Sequence, residues 1–386
     1  MMILARPSVS PYLTRSLMAL GVPVVVADDA GVPMRPALDL ITPEALRATP
    51  RRAYQALLLT SSENALSFLY DVIPHDDRVL KARLFKDKAA FRRAIRDLEP
   101  GFYFQEHALE DLAAVDASTI PFPVVVKPAV GISSIGVVRV PDREAWQAAV
   151  AFLHKDLEEY ASNYRANVVE GQRMLVESWI EGTELAIDGF YDAQANPVVL
   201  NILEHLFAHE ADTSDRIYYT RRSLVQRFYE PILEFLQRFG DAFDLKRFPF
   251  HLEVRFTKDG RFVPIELNPL RFAGLGTTEV AEYAYGINVY DCFFRQVSPD
   301  WANILRRSDD SVYSFACVDV PTELFRQPGL VIRDRELHRE LTEVLDYRLL
   351  SETETSTFAV IFFRSEDLDE PRRILSLDLQ PFFARG

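Results

Sequence analysis

The stretch that decides the fold is HLEVRFTKDGRFVPIELNP, which runs from His251 to Pro269. Apolar and polar residues alternate on both sides of Asp259-Gly260, a pair that favours a type I′ turn, so the segment predicts a hairpin with a two-residue loop. In this register one face of the hairpin is apolar and the other is polar. The apolar face holds Leu252, Val254, Phe256, Val263, Ile265 and Leu267, and the polar face holds His251, Glu253, Arg255, Pro264, Glu266 and Asn268.

The same register places Glu253 opposite Glu266, and His251 opposite Asn268. Like charges that face each other destabilise a strand pair, so positive charge must lie between the two glutamates. One interpretation is that Arg255, on the same face, neutralises them. The other is a hard divalent cation, because Mg²⁺ takes oxygen ligands and completes its coordination shell with water and phosphates. The second interpretation requires a nucleotide site elsewhere in the chain.

Composition limits the classes of function. A chain of 386 residues predicts two or three domains, and 48% hydrophobic residues are enough to bury large cores. The net charge of -14 argues against a nucleic-acid partner. Cys292 and Cys317 lie in apolar contexts without metal-type spacing, which predicts buried thiols in a reducing compartment. No apolar run reaches transmembrane length, so we expect a soluble, cytoplasmic protein that binds no membrane.

The chain alternates short apolar runs with helical periodicity. The runs MMILA, VPVVVAD and QALLLTSS predict buried parallel strands of a small α/β domain, with helices over 15–20 and 64–73. Further helices are predicted within the charged stretch 78–98, over 143–163, over 224–239 and over 280–286. The runs SVYSFACVDV and TFAVIFFRS predict strands in the last part of the chain. The fold class is therefore mixed α/β with several lobes.

A second informative segment is FPVVVKPAVGISSIGVVRV, from Phe122 to Val140. A strand ends at Lys127 and is followed by small residues, which let backbone N–H groups approach an anion closely. The small residues are Gly131, Ser133, Ser134 and Gly136. No Lys-Ser/Thr pair and no helix follow, so this is not a Walker A loop. The alternatives are a phosphate-binding loop and a mobile hairpin turn.

The third segment, MLVESWIEGTELAIDGFYD, runs from Met174 to Asp192. Its backbone near Glu177, Trp179 and Ile180 could bind an adenine edge, and the Glu184 carboxylate could accept hydrogen bonds from ribose hydroxyls. An ordinary strand–turn–strand is the alternative.

Together the three segments resemble the ATP-grasp superfamily, closest to the branch with D-alanine–D-alanine ligases and L-amino-acid ligases. The resemblance implies an ATP-grasp fold with an N-terminal Rossmann-like preATP-grasp domain. It also implies ATP and Mg²⁺, or Mn²⁺, as cofactors. The implied ATP-binding residues are Lys88, Lys127, Ser133, Ser134, Gly136, Glu177, Trp179, Ile180 and Glu184, and the implied metal ligands are Glu253, Glu266 and Asn268.

On this basis we predict four parts: a preATP-grasp domain (1–80), an N-lobe with the phosphate-covering loop (81–185), a C-lobe with the metal site (186–305), and a β-rich extension packed on the core (306–386). Two departures from the family pattern stand out. Leu270 is inserted before Arg271, the candidate for stabilising the transferring phosphoryl group together with Lys127. Ile132 stands where the phosphate loop often has glycine.

The polar segment from Ile202 to Ser223 lies where the family places substrate-facing residues, so Arg221 and, beside the metal face, Arg255 are candidates. His205 and His209 have i,i+4 spacing, which would suit zinc on a helix, but no HExxH sequence is present and a substrate or structural role is favoured.

The resemblance implies a ligase that joins a small-molecule carboxylate to an amine through an acyl phosphate, with a homodimer as the expected assembly. Other ATP-grasp chemistry, such as a carboxylase or a purine-type ligase, is one alternative. A catalytically inactive nucleotide-binding protein is the other.

Overall fold

The computed structural model describes residues 1–7, 9–28, 30–130, 136–163, 173–209, 212, 214–321, 324, 329–350 and 357–385. The strands are β1 (Met2–Leu4), β2 (Val24–Val26), β3 (Leu40–Ile41), β4 (Leu59–Thr60), β5 (Phe104–Ala108), β6 (Val124–Pro128), β7 (Val138–Val140), β8 (Arg173–Ser178), β9 (Thr183–Tyr191), β10 (Pro197–Leu206), β11 (Ile217–Thr220), β12 (Phe248–Phe256), β13 (Phe262–Pro269), β14 (Val312–Asp319), β15 (Leu330–Ile332), β16 (Glu343–Leu349), β17 (Thr357–Ser365) and β18 (Phe383–Arg385). The helices are α1 (Pro11–Leu20), α2 (Pro43–Ala48), α3 (Arg51–Gln55), α4 (Glu63–Val72), α5 (Asp77–Lys86), α6 (Lys88–Ala94), α7 (Trp146–Asn163), α8 (Arg222–Phe243), α9 (Val280–Tyr285), α10 (Val289–Arg295), α11 (Trp301–Arg307), α12 (Asp334–His338) and α13 (Asp369–Leu375).

The N-terminal part is a parallel sheet in the order β3-β2-β1-β4. This confirms the three predicted buried parallel strands. The first helix begins earlier than predicted, at Pro11, because the Ser10 side chain accepts a hydrogen bond from Leu13 N–H and caps it.

The charged stretch 78–98 forms two helices rather than one. Helix α5 ends at Lys86 and α6 begins at Lys88, and the Asp87 side chain between them accepts a hydrogen bond from Ala90 N–H. An N-cap carboxylate satisfies a free N–H of the new helix and so stabilises the break. The break sets Lys86 and Lys88 on either side of a bend.

The second sheet has the order β5-β8-β6-β7, with antiparallel pairs throughout. Helix α7 packs on it through Trp146 and Leu153, which are fully buried against Val126 and Met174. This sheet carries Lys127 and Glu177 on adjacent strands, β6 and β8.

The third sheet has eight strands in the order β13-β12-β9-β10-β11-β14-β17-β16. Helix α8 covers one face, where its Phe228 and Phe239 share a core with Leu252 and Val254 of β12. Residues alternate across a strand, so the polar side chains of β12 lie on the other face. The three C-terminal strands of this sheet, β14, β16 and β17, extend it beyond β11. The boundary predicted at residue 185 lies inside β9, and the domain limits stay a prediction.

The hairpin of β12 and β13 confirms the predicted pairs, with Glu253 opposite Glu266 and His251 opposite Asn268. The predicted turn is wrong. Thr257 N–H donates to Arg261 C=O over 2.9 Å, which leaves a three-residue loop that ends at Gly260 with φ +84°, the geometry of a type I turn with a bulge.

The longer loop shifts the register near the turn by one residue. Phe262, and not Val263, therefore faces Phe256, while Val263 pairs with Arg255. A bulge at Ile265 restores the register before Glu266. Pro264 lies beside this bulge, where a residue without an N–H is tolerated.

The inserted Leu270 adopts a left-handed conformation, with φ +56°, and its side chain is fully buried. Its N–H donates to Pro249 C=O, and its C=O accepts from Thr60 N–H at 2.7 Å. The extra residue is thus absorbed as a single left-handed bend that joins β13 to the N-terminal sheet. Arg271 leaves this bend.

Gly182 immediately precedes β9 and lies where the chain closely approaches the end of β12. Its φ is +147°, and an added Cβ would lie 2.2 Å from Phe256 O. Gly260 also has positive φ but has no atom within 4 Å of such a Cβ. We expect Gly260→Ala to lower the free energy of unfolding by roughly 1 kcal/mol, and Gly182→Ala by about 3 kcal/mol or more, because the second adds a clash to the strain. Urea denaturation measures both, and equal losses would contradict the close approach.

Candidate active site

The centre of the site is the polar face of β12 and β13. Glu253 and Glu266 oppose each other, and Asn268 Nδ2 lies 3.4 Å from Glu253 Oε1. Asn268 is buried, and the side chains of Glu253 and Glu266 are 22% and 16% exposed. The three residues named as metal ligands are therefore brought together.

Two lysines lie against these oxygens. Lys88, a predicted ATP-binding residue, places its Nζ 2.8 Å from Glu266 Oε2. Lys86, which was not predicted, places its Nζ 3.2 Å from Glu266 Oε1 and 3.0 Å from Asn268 Oδ1. Burial alone would raise the pKa of Glu266, but Lys88 and Lys86 outweigh it and hold that pKa well below the usual range.

Arg255 does not neutralise the glutamate pair, so that interpretation is wrong. Its Nη2 lies 2.7 Å from Glu184 Oε2, one strand away on β9. The other Glu184 oxygen lies 3.0 Å from His205 Nδ1. Burial would raise the pKa of Glu184, yet bonds from His205 and Arg255 lower it. This carboxylate is thus held ionised where the ribose was expected.

His205 lies in strand β10, and His209 follows in the loop, so the helical spacing on which a zinc site would rest is wrong. His205 Nε2 faces Ser214 C=O at 3.0 Å, which lets both ring nitrogens donate. Burial would lower the pKa of His205, but Glu184 raises it. Its ring stacks on Tyr218 with centroids 4.3 Å apart.

Lys127 and Glu177 form a buried ion cluster with Arg92. Lys127 Nζ lies 2.7 Å from Glu177 Oε1, and Arg92 binds both carboxylate oxygens, at 2.6 and 3.1 Å. Burial would raise the pKa of Glu177, but Arg92 and Lys127 lower it to about 2. Burial, with Arg92 and Lys88 nearby, lowers the pKa of Lys127. Both oxygens of the Glu177 carboxylate are therefore engaged by buried cations.

Trp179 follows this strand end. Its N–H donates to Pro123 C=O at 3.0 Å, and its ring lies between the guanidinium groups of Arg139 and Arg255, at 4.8 and 5.0 Å. Ile180, next to it, is half-buried. Guanidinium groups are attracted to the face of an aromatic ring, so these contacts stabilise the position of Trp179.

The predicted phosphate loop falls mostly outside the described residues: Ser133 and Ser134 are not among them. Gly136, at the end of the loop, has φ +68° and donates its N–H to Asp156 Oδ2 at 3.2 Å. A Cβ on Gly136 would lie 2.9 Å from Leu157 Cδ2. Glycine is thus required where the chain returns to β7.

Arg271 and Arg221 differ in their surroundings. Arg271 Nε lies 2.9 Å from Glu63 Oε1, and Lys86 Nζ lies 3.1 Å from the same oxygen, so Glu63 of α4 links the N-terminal sheet to the site. Arg221 lies 3.9 Å from Asp310 Oδ2 at the start of α8. The structure thus joins Arg271 to Lys86 through Glu63 and leaves Arg221 loosely paired.

A buried His–Asp pair contacts Glu253 on the same strand face. His251 Nδ1 lies 2.9 Å from Asp188 Oδ1, and His251 Nε2 lies 3.5 Å from Glu253 Oε1. Burial would lower the pKa of His251, but Asp188 and Glu253 raise it to about 9. Asp188 Oδ1 also accepts a bond from Ala273 N–H at 2.8 Å, which ties the turn after Arg271 to β9.

Asp215, which was not predicted, is exposed to solvent and lies near His205, Glu253 and Glu184. Its Oδ1 accepts a bond from Tyr218 Oη at 3.0 Å. Burial, with Glu253 and Glu184 nearby, raises the pKa of Asp215 to about 6 although His205 opposes the shift. The only signal in the sequence was its place in the polar segment 202–223.

The oxygens of Glu253, Glu266 and Asn268 fit a hard divalent cation. The Lys86 ammonium already lies among Glu266 and Asn268 oxygens, so the oxygens converge on a point where a cation is stabilised. No group of three or more His, Cys, Asp or Glu able to hold a metal occurs in the part of the chain that the structure describes. A metal here would therefore need oxygens from a ligand, which is usual for Mg²⁺.

Residues 120–279 match the model of the ATP-grasp domain. Over 157 residues the chain is 29% identical to a D-alanine–D-alanine ligase of Francisella philomiragia, which covers 40% of this chain and 47% of that protein. Over 188 residues it is 23% identical to the carbamoyl phosphate synthase large chain of Thermoanaerobacter pseudethanolicus, covering 48% of this chain and 16% of that one. The chain thus spans less than half the length of these curated relatives.

Solved structures share the fold along nearly the whole chain. L-amino acid ligase from Bacillus licheniformis superimposes with a TM-score of 0.64 at 19% identity, covering 99% of this chain and 97% of that one. N5-carboxyaminoimidazole ribonucleotide synthetase from Thermotoga maritima gives 0.62 at 14% identity, covering 99% and 98%. Biotin carboxylase from Campylobacter jejuni gives a TM-score of 0.62 at 14% identity, covering 95% of this chain and 87% of that one.

No described helix is long and apolar enough to cross a bilayer.

We expect Glu177→Gln to destabilise the fold by about 3–5 kcal/mol near neutral pH, because Arg92 and Lys127 would lose their buried partner. Since the pKa of Glu177 falls from 4.5 to about 2 on folding, its contribution is complete above pH 4.5 and is lost as the pH falls towards 2. The difference in free energy of unfolding between Glu177→Gln and wild type should therefore become smaller at acidic pH.

Urea denaturation at several pH values measures this difference. Glu106→Gln is the matched control, because Glu106 pairs with Arg173 at 2.5 Å in the same sheet but is 29% exposed, and such pairs contribute up to about 1 kcal/mol. Similar losses for both variants would contradict the buried cluster.

Proposed function

We propose, from the match of residues 120–279 to the ATP-grasp domain, that the chain is an ATP-dependent carboxylate–amine ligase. It activates a small-molecule carboxylate, in our proposal an amino acid or a related metabolite, as an acyl phosphate and transfers the acyl group to an amine. ADP and phosphate are released. We further propose a cytoplasmic location, consistent with the free thiols of Cys292 and Cys317, and a homodimeric assembly.

One observation carries the proposal: Glu253 and Glu266 oppose each other on one strand pair, and the ammonium groups of Lys86 and Lys88 contact Glu266 from two helices. Phosphoryl transfer needs positioned cations rather than a protein nucleophile. Bound Mg²⁺ would be held by these three oxygen ligands and would neutralise charge on the transferring phosphoryl group.

The remaining residues suit a nucleotide that lies across the two sheets. We propose that Lys88 and Lys127 bind the phosphates and that Ser133, Ser134 and Gly136 belong to the covering loop. The backbone at Glu177, Trp179 and Ile180 would bind the adenine, and Glu184 would accept bonds from the ribose hydroxyls. His205 and Arg255 orient Glu184 by the bonds described above.

In the first step a substrate carboxylate oxygen attacks the γ-phosphorus, and the bond to the β–γ bridging oxygen breaks with its electron pair leaving on ADP. Arg271 supports this step as a neighbour of the metal-ligand face, held there by Glu63. Arg221 and His209 are proposed at the substrate end of the cleft. Closure of the loop would exclude water and protect the acyl phosphate.

In the second step the amine nitrogen attacks the acyl carbon, and phosphate leaves with the electron pair of the acyl–oxygen bond. The amine must lose a proton, and Asp215 is an exposed carboxylate close to Glu253 and Glu184, whose charges help to raise its pKa. A base whose pKa is close to the working pH suits this transfer. We propose Asp215 as the residue that receives the proton.

We expect Glu266→Gln to lower ADP release by about 100-fold or more, because the proposed Mg²⁺ ion would lose a charged ligand and would stabilise the transferring phosphoryl group less. Coupled assay of ADP with acid and amine substrates measures it. Glu234→Gln, on the exposed face of α8, is the control and should match wild type. Undiminished ADP release in Glu266→Gln, with the variant folded, would refute the proposal.

We expect Asp215→Asn to uncouple the two steps. Wild-type ligation should rise as the pH increases through about 6, where Asp215 loses its proton, and the variant should lack this limb and lose about 100-fold or more in rate. Acyl phosphate formation, trapped as hydroxamate with hydroxylamine, should persist. Loss of both activities together, or an unchanged pH profile, would exclude Asp215 as the base.

A further inference from the structure

Lys86 is held among three oxygens. Its Nζ lies 3.1 Å from Glu63 Oε1, 3.2 Å from Glu266 Oε1 and 3.0 Å from Asn268 Oδ1. An ammonium group has three N–H donors, so each can be used. Two of the three oxygens belong to residues proposed to bind the metal.

The charge of Lys86 is secure in this place. The side chain is 11% exposed, and carboxylate oxygens of Glu63 and Glu266 lie 3.1 and 3.2 Å from its ammonium group. Lys86 is the last residue of α5, which packs against β13, and the Asp87 cap of α6 follows at once. The helix break therefore places the backbone of Lys86 beside β13, from where its side chain reaches these oxygens.

The charges around Lys86 balance. One contact network holds three carboxylates and three cations: Glu63 and Glu266 pair with Lys86, Lys88 and Arg271, and Glu253 joins through Asn268. A divalent cation that arrived alone would have to displace an ammonium and add charge to a balanced cluster. A nucleoside triphosphate brings several negative charges, to which Lys86 can turn while the metal takes Glu266 and Asn268.

We propose that Lys86 competes with the metal ion for Glu266 and Asn268, so that the metal binds only together with a nucleoside triphosphate. This inference rests on the proposed function. In this proposal Lys86 determines the order of binding. The metal–nucleotide complex binds to the site, and the free metal ion does not. Removal of a partner from a buried ion network leaves charge uncompensated, so loss of Lys86 leaves carboxylates that attract free metal.

The test measures Mn²⁺ binding by electron paramagnetic resonance, with and without a non-hydrolysable ATP analogue. Wild type should bind Mn²⁺ only with the analogue. Lys86→Met should bind Mn²⁺ without it, at least tenfold more tightly than wild type, and Lys86→Arg, which keeps the charge, should refuse free Mn²⁺. Lys81→Met is the matched control: Lys81 lies on the same helix, but its Nζ is bonded to Asp77 and Asp244, so it should behave as wild type.

Wild type that binds Mn²⁺ equally with and without the analogue would overturn the competition, and this arm needs no variant to fold. An unchanged affinity for free Mn²⁺ in a folded Lys86→Met would overturn it as well. Wild type that binds Mn²⁺ in neither condition would instead refute the proposed nucleotide function. The two failures are thus distinguishable.

Discussion

The structure depends on the repulsion between Glu253 and Glu266, which β-pairing brings face to face. Strand register leaves these carboxylates no freedom to separate, so cations must be brought to them. The break between α5 and α6 does this, since it places Lys86 and Lys88 on either side of a capped bend. An arrangement with an energetic cost in the isolated hairpin becomes a prepared site for a charged ligand.

The same principle recurs around the centre. Glu177 lies between Arg92 and Lys127, and Glu184 lies between His205 and Arg255, so each of these carboxylates has two basic side chains as partners. These networks fix side chains before any ligand arrives, and preorganised charge is what phosphoryl transfer requires. They also explain how a chain with net charge -14 can present a cluster of cations in one cleft.

The prediction from sequence succeeded where local rules decide the outcome. Alternation along β12 and β13 placed Glu253 opposite Glu266, and apolar runs identified the parallel strands of the N-terminal sheet, both of which are confirmed. It failed at the turn, because a three-residue loop and the bulge at Ile265 shift the register and then restore it. Two compensating irregularities cannot be seen from alternation alone.

The sequence by itself determined the elements, the family resemblance and the residue types at the site, since periodicity, turn residues and short motifs are properties of neighbouring positions. Only the tertiary structure decided the partners of each charge. Arg255 neutralises Glu184 rather than the opposed glutamates, while Lys86, Glu63 and Asp215 join the site from separate segments. Ion pairing and burial depend on which side chains are close together in the folded protein. The positions of residues along the chain do not determine these contacts.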